Sequence, residues 1–222
     1  MMKQVILLFL VLIFFSNILA QETSTIIDVR DGQKYKIVEV GNQWWMAENL
    51  KSTKYKDGTD IPLVTNDTAW SNLATPGYCW YANDSIIYAN LYGALYNWYT
   101  VNTGNLCPIG WHVPSNIEWT VLTDYLGGEG IAGGKLKEVG TGHWSGPNTG
   151  ATNEIGFTAL PGGNRNFDGS FFFNGYYGYW WSSTEASESN AMNRYMFYNT
   201  GNVIGFSHYK KYGFSVRCVK DS

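Results

Sequence analysis

The chain has 222 residues and a formal net charge of -3 with no basic stripe, which excludes general attraction to phosphate backbones and with it nucleic-acid binding. Only 15% of residues are charged, whereas aromatics reach 17% with 10 Trp and 16 Tyr, so a core of large rings can form without long aliphatic runs. Low charge with 25 Gly and many Asn, Ser and Thr suits a loop-rich extracellular protein better than a cytosolic enzyme.

Met1-Met2-Lys3 supplies a short positive region, Val5 to Phe15 an apolar one, and Ser16 to Ala20 a small-residue exit. This pattern predicts a secretory signal peptide over residues 1–20, cleaved before Gln21, and one domain over 21–222. The apolar run is shorter than the ~20 residues of a spanning helix. No cysteine follows it for lipid attachment, and no later segment predicts a transmembrane helix in the mature chain. The expected location is therefore secreted or at the cell surface. Three cysteines remain, Cys79, Cys107 and Cys218, and in an oxidising compartment three pairings are possible. They lack paired CxxC spacing, and His112, His143 and His208 stand singly, so neither a metal site nor a cofactor is expected.

In chain order, Ile26 to Arg30 and Tyr35 to Val40 flank Asp31-Gly32, a hairpin signal. Gly41-Asn42 then leads into Gln43 to Leu50, completing an antiparallel meander. Residues 51–90 are turn-rich around a short aromatic strand at Gly77 to Tyr81. Asp57, Asp60, Asp67 and Asp84 sit beside Gly, Pro or Asn and read as turn formers, since no twelve-residue calcium loop is present.

Tyr92, Leu95, Tyr96 and Tyr99 recur at helical spacing and predict a helix from about Asn90 to Val101. A second helix follows Pro114, opened by the capping box Ser115/Glu118 and closed by Gly127-Gly128. It carries two apolar lines: Ile117, Val121 and Tyr125, and Trp119, Leu122 and Leu126. A weaker third helix is predicted over Ala132 to Val139. Beyond Gly140 the pattern turns to short strands at Gly142 to Trp144, Gly156 to Gly163, Gly169 to Phe173, Gly178 to Ser183, Arg194 to Tyr198 and Gly213 to Cys218. Helices in the middle and strands at both ends give an α+β class, with a small twisted antiparallel sheet and long loops.

The blocks DGQKYKIVEVGNQWWMAENL, LYGALYNWYTV, CPIGWHVPSNIEW, GFTALPGGNRNFDGSF, GYWWSSTE and YGFSVRCVKD run in order through nearly the whole mature chain. In these the sequence resembles the Fibrobacter succinogenes major paralogous domain family. The resemblance implies secreted or surface proteins of Bacteroidetes and Fibrobacteres and a distant kinship with C-type-lectin-like folds, two to three helices packed on small twisted antiparallel sheets. It implies no defined activity, and fold alone does not supply one. The acidic triplets of calcium-dependent lectins are absent, Gly146-Pro147-Asn148 being the nearest run, so calcium-mediated sugar binding is not expected. The disulfide expected is Cys107 with Cys218, tying the entry to the second helix to the last strand, with Cys79 left reduced and buried.

The expected function is a non-catalytic binding or adhesion module for a glycan or another extracellular protein. The loops from Gly162 to Tyr177 are the expected ligand surface. Arg165 would offer a planar fork, Asn164, Asn166, Asp168 and Asn174 hydrogen bonds, and Tyr176 and Tyr177 stacking faces. The same Gly, Asn and Tyr residues also suit tight hairpins. One alternative is a structural cell-surface protein. Another is an enzyme related to the formylglycine-generating enzymes, but these use a reactive cysteine pair, and no catalytic triad, paired carboxylates or phosphate loop stands out here.

Overall fold

The computed structural model describes residues 23–221, and the expected signal peptide lies outside them. Strands β1 (Thr23–Ile27), β2 (Lys34–Val40) and β3 (Gln43–Met46) form the expected antiparallel meander. Gly41 takes a φ of 63° in the two-residue turn that sets Val40 opposite Gln43, a conformation in which a Cβ is penalised.

After the meander comes α1 (Asp67–Ser71), capped by the Asn66 carboxamide oxygen, which accepts from the Ala69 N–H. The next elements are β4 (Tyr78–Cys79), α2 (Ser85–Tyr92), β5 (Leu95–Tyr96) and α3 (Trp98–Val101). The single helix expected from Asn90 to Val101 is therefore split, and its middle is a strand. Gly93 leaves the helix at φ 73°, where a Cβ would lie 2.7 Å from the Leu50 carbonyl oxygen. Leu95 and Tyr96 then pair with β4, Tyr96 also exchanges backbone hydrogen bonds with Phe214, and Asn97 caps a fresh turn. Glycine freedom and pairing from a distant segment outweigh local periodicity.

Strand β6 (Trp111–His112) precedes α4 (Asn116–Tyr125), where the capping box forms as expected: Glu118 N–H donates to Ser115 Oγ at 3.2 Å and Ser115 N–H to Glu118 Oε2 at 2.7 Å. Of its two apolar lines, Trp119, Leu122 and Leu126 are buried, while Ile117, Val121 and Tyr125 are exposed. The third helix, α5 (Glu129–Leu136), sits about one turn earlier than expected. Its Gly133 and Gly134 press on backbone, with Cβ positions 2.2 Å from the Asn202 oxygen and 2.3 Å from the Gly150 oxygen.

The second half contributes β7 (Gly162–Arg165), β8 (Phe171–Asn174), β9 (Tyr177–Glu185), β10 (Asn190–Phe197), β11 (Ile204–Tyr209) and β12 (Val219–Lys220). Gly142 to Trp144 is not a strand, because the Trp144 indole is drawn into the core and donates to the Ala159 carbonyl at 2.9 Å. One five-stranded sheet has the order β1-β2-β3-β12-β6, antiparallel throughout. A second has the order β11-β10-β9-β7-β8, antiparallel except where β7 meets β9 in parallel. The architecture is α+β, with short helices between two mainly antiparallel sheets.

Residues 213–218, expected as an ordinary strand, form a spine between the sheets instead. Gly213 exchanges backbone hydrogen bonds with Arg165, Ser215 N–H donates to the Tyr179 carbonyl, Leu50 N–H to Val216, and Met46 N–H to Cys218. Cys218 is bonded to Cys107 with Cα atoms 6.0 Å apart, and Cys79 is free and buried. Trp180 and Trp181, adjacent in β9, point to opposite faces and enter different cores. Trp181 joins Tyr96, Trp98, Phe214 and the disulfide, whereas Trp180 joins Trp45, Trp119, Trp144 and Phe157 beneath α4 and α5.

Candidate functional site

Strand periodicity builds one unusual surface. Tyr177, Tyr179 and Trp181 share a face of β9, with Phe197, Tyr195 and Asn193 of β10 opposite them in that order. Phe206 of β11 lies opposite Asn193. At one end of this face Trp181 is buried beneath Phe214, their ring centroids 4.4 Å apart. At the other end Tyr177 and Phe197 are half-buried, and across the sheet from Trp181, on β11, Phe206 is 53% exposed. A row of near-parallel rings runs from Phe197 to Phe214. Phe197 and Tyr177 stack at 5.2 Å, Tyr177 and Tyr179 at 5.6 Å, and Tyr179 and Phe214 at 4.9 Å.

The β7–β8 hairpin makes the facing wall, with Asn164 opposite Phe172. Gly163 and Phe173, between the paired positions, both hold left-handed backbone, at φ 65° and 68°. At Gly163 a Cβ would lie 2.5 Å from the Phe172 oxygen. For a bulky residue such as Phe173 that conformation is strained, and it accompanies an exposed ring at the groove. One cavity of about 220 Å³ is lined by Asn164, Asn166, Phe172, Phe173, Tyr179, His208, Tyr212 and Phe214. A second of about 230 Å³ is lined by Phe173, Tyr177, Tyr179, Tyr195, Phe206 and His208. Sharing Phe173, Tyr179 and His208, the two form one groove. A larger hollow of about 420 Å³ beside β3, α4 and β12 has Trp44 as its one ring among mostly polar and charged neighbours.

The polar groups of the groove are held neutral. Asn193 Nδ2 donates to the Phe206 carbonyl at 3.0 Å and meets His208 Nδ1 at 2.9 Å. A carbonyl can only accept, so the amide nitrogen is the Asn193 end facing both, and the His208 proton falls on Nε2. Burial lowers the His208 pKa to about 4. Burial, together with the hydroxyls of Tyr177, Tyr195 and Tyr212, raises that of Tyr179. Asn164, 3% exposed, lines the cavity, and its carboxamide oxygen has no hydrogen-bond partner among the described residues.

The expected ligand residues divide. Asn164, Asn166 and Tyr177 contribute to the groove. Arg165 does not: it is 0% exposed, because the next residue along a strand faces the other way. Its guanidinium donates to the carbonyls of Gly169 (2.8 Å), Val64 (2.5 Å) and Thr65 (3.0 Å) and to the Asp67 carboxylate (2.8 Å), between the rings of Trp70 and Phe171. The fork expected to meet a ligand instead fastens β7 to the chain entering α1. Asp168 shapes an exposed turn by accepting from Ser170, Asn174 donates to the Pro161 carbonyl, and Tyr176 packs edge-on against Tyr198. Phe172 and Phe173 fall inside the expected range Gly162 to Tyr177 without being singled out, and Tyr179, Tyr195, Phe206, His208, Tyr212 and Phe214 are not among the residues expected at a ligand surface. The available signal was the alternation Tyr177, Tyr179, Trp181 and Phe206, His208.

Among the described residues no group of three or more His, Cys, Asp or Glu is gathered as a metal site requires, and no helix is long and apolar enough to cross a membrane. No curated protein and no solved structure matches the chain. The model of the Fibrobacter succinogenes major domain does match, over residues 38–220. That span runs from within β2 to the end of β12 and takes in the meander's last turn, the disulfide, the spine and every strand of the groove. The chain therefore belongs to the Fibrobacter succinogenes major domain family.

Proposed function

We propose that this is an exported, non-catalytic binding module whose ligand site is the ring-lined groove of the second sheet. One observation carries the reading: half-exposed aromatic rings surround a cavity lined by a buried, unpartnered carboxamide, Asn164. An unmet buried polar group costs about 1–3 kcal/mol, and a ligand hydrogen bond is a physical reason to retain it. Export is supported by the Cys107–Cys218 bridge, which suits an oxidising compartment, and by the leader-like residues 1–20. A C-type-lectin-like arrangement is supported by β1 and β12 sharing one sheet, with α4 and α5 and the loop-rich second sheet between them in sequence.

Catalysis is no part of the reading. His208 is oriented by a carboxamide where a general base is usually oriented by a carboxylate. Cys79 is fully buried, and burial pushes its thiol pKa up to about 12. The test presents the protein and its Phe206→Ala variant to a broad glycan array and to immobilised proteins of the native secretome. Ligands held by the wild type and lost by the variant support the groove. Equal retention by both places the site elsewhere and refutes the proposal.

A further inference from the structure

We propose that the groove binds a neutral oligosaccharide, two adjacent sugar units at a time and without a metal ion. This rests on the reading of the groove as the ligand site and adds the class of ligand. Three features of the groove argue for it.

The first is shape. Two cavities of nearly equal volume, about 220 and 230 Å³, adjoin across the shared walls of Phe173, Tyr179 and His208. That spacing fits a ligand built of repeated units of one size better than a single isolated side chain. The second is the chemistry of the lining. Ring faces alternate with groups that donate or accept: the Asn164 carboxamide, the His208 Nε2–H and the tyrosine hydroxyls. A sugar ring offers matching groups, C–H faces that stack on aromatics and hydroxyls that both donate and accept. An aromatic or aliphatic peptide side chain would fill the rings and leave the carboxamide unmet.

The third feature is charge. His208 stays neutral because burial lowers its pKa to about 4, and burial raises those of Tyr179, Tyr195 and Tyr212. No lysine or arginine lines either cavity, and Asp168, whose charge acts on Tyr212, stands on an exposed turn outside them. An anionic sugar or a phosphate would enter without a counter-charge, at a desolvation cost that a neutral sugar avoids.

The experiment titrates the protein, in buffer with EDTA, with tetrasaccharides of β-1,4-glucan, β-1,4-mannan, β-1,4-xylan and α-1,4-glucan. A polygalacturonate tetrasaccharide and a Phe/Tyr-rich synthetic peptide complete the panel. Binding is read by calorimetry and by shifts of the His208 ring resonances. At least one neutral tetrasaccharide is expected to bind and shift His208. Its affinity should fall about tenfold in Asn164→Ala and in Phe206→Ala, the loss of one buried hydrogen bond or stacking face. Phe206→Ala should melt within about 2 °C of the wild type, since the ring is half exposed, and Asn164→Ala should melt no lower than the wild type, since it removes a buried carboxamide oxygen that has no partner to lose. Peptide binding that shifts His208, with every neutral sugar silent, overturns the sugar and leaves the groove standing as the site. Preference for polygalacturonate, or sugar binding that requires calcium, also overturns the ligand class. A sugar that binds both variants with unchanged affinity, or the absence of any His208 response across the panel, overturns the groove itself.

Discussion

Replacing Arg165 by Ala should unfold much of what the groove rests on, although the residue touches no ligand. The side chain is wholly enclosed and gives three hydrogen bonds to the carbonyls of Gly169, Val64 and Thr65. Truncation strands those acceptors, each worth about 1–3 kcal/mol if left dry, and removes a cation held between Trp70 and Phe171, worth up to about 2 kcal/mol. The ion pair with Asp67 adds little, because that carboxylate is 66% exposed. Water entering the vacated space recovers part of the loss, so the expected net cost is about 3–5 kcal/mol. For a domain of this size that corresponds to a fall in melting temperature of roughly 6–20 °C. Thermal unfolding followed by near-ultraviolet circular dichroism reads it directly, because Trp70 reports on the same site. A shift under about 2 °C would show that the guanidinium is not the fastening described here.

Three further outcomes follow from other parts of the fold. The double variant Cys107→Ala/Cys218→Ala opens a loop spanning 111 positions and should lose ~4–5 kcal/mol of stability in urea unfolding, with unreduced peptide maps of the wild type showing no Cys79-linked species. Burial alone would lower the pKa of His112, but hydrogen bonds to the carboxylates of Asp221 and Glu118 raise it above its ordinary value. The stabilisation is therefore complete below about pH 6.5 and is lost as pH rises through the folded-state value, a slope that His112→Gln should flatten in urea midpoints recorded across that range. Gly133→Ala should destabilise despite a helix-propensity gain of about 1 kcal/mol, because its Cβ would sit 2.2 Å from the Asn202 oxygen; Gly130→Ala, on the same helix with open space around it, should raise the melting temperature.

The parts of this fold legible in the sequence are those whose instructions are local. Gly41-Asn42 marks its own turn and Ser115 with Glu118 marks the start of α4, so both stand where the residues put them. The first hairpin is present too, but β1 ends at Ile27, which pairs with Lys34, so residues 28–33 around Asp31-Gly32 form a longer connection and Asp28 to Arg30 are not strand. The stretch 90–101 misled because its helical spacing is genuine, while the partners that make Leu95 and Tyr96 a strand lie outside it, at Tyr78 and Cys79 of β4 and, more than a hundred residues away, at Phe214. The groove was half visible. The loops from Gly162 to Tyr177 carry one wall, but which of Asn164 and Arg165 faces outward depends on register, and one step in register exchanges the two. Strand β11 does alternate, Ile204, Phe206 and His208 against Gly205 and Ser207, but Gly and Ser close to Gly201-Asn202 also suit a turn, so the stretch does not stand out as a strand.

The first sheet has an unusual joint between β3 and β6. One of its three interior strands, β12, is two residues long and comes from the opposite end of the chain to β3, its neighbour on one side. Until Val219 arrives, β3 and β6 are both open edges, and that of β3 displays Gln43-Trp44-Trp45-Met46 to any other unfinished copy. Pairing over so long a stretch of chain is slow to find by diffusion, so the interval in which these edges stand open is long compared with closure of the hairpin beside them. A mixed crosslink from Cys107 to a second copy would prolong it. The molecule thus completes its first sheet like an arch set on its keystone, and its yield on refolding should depend on concentration more than its final stability would suggest.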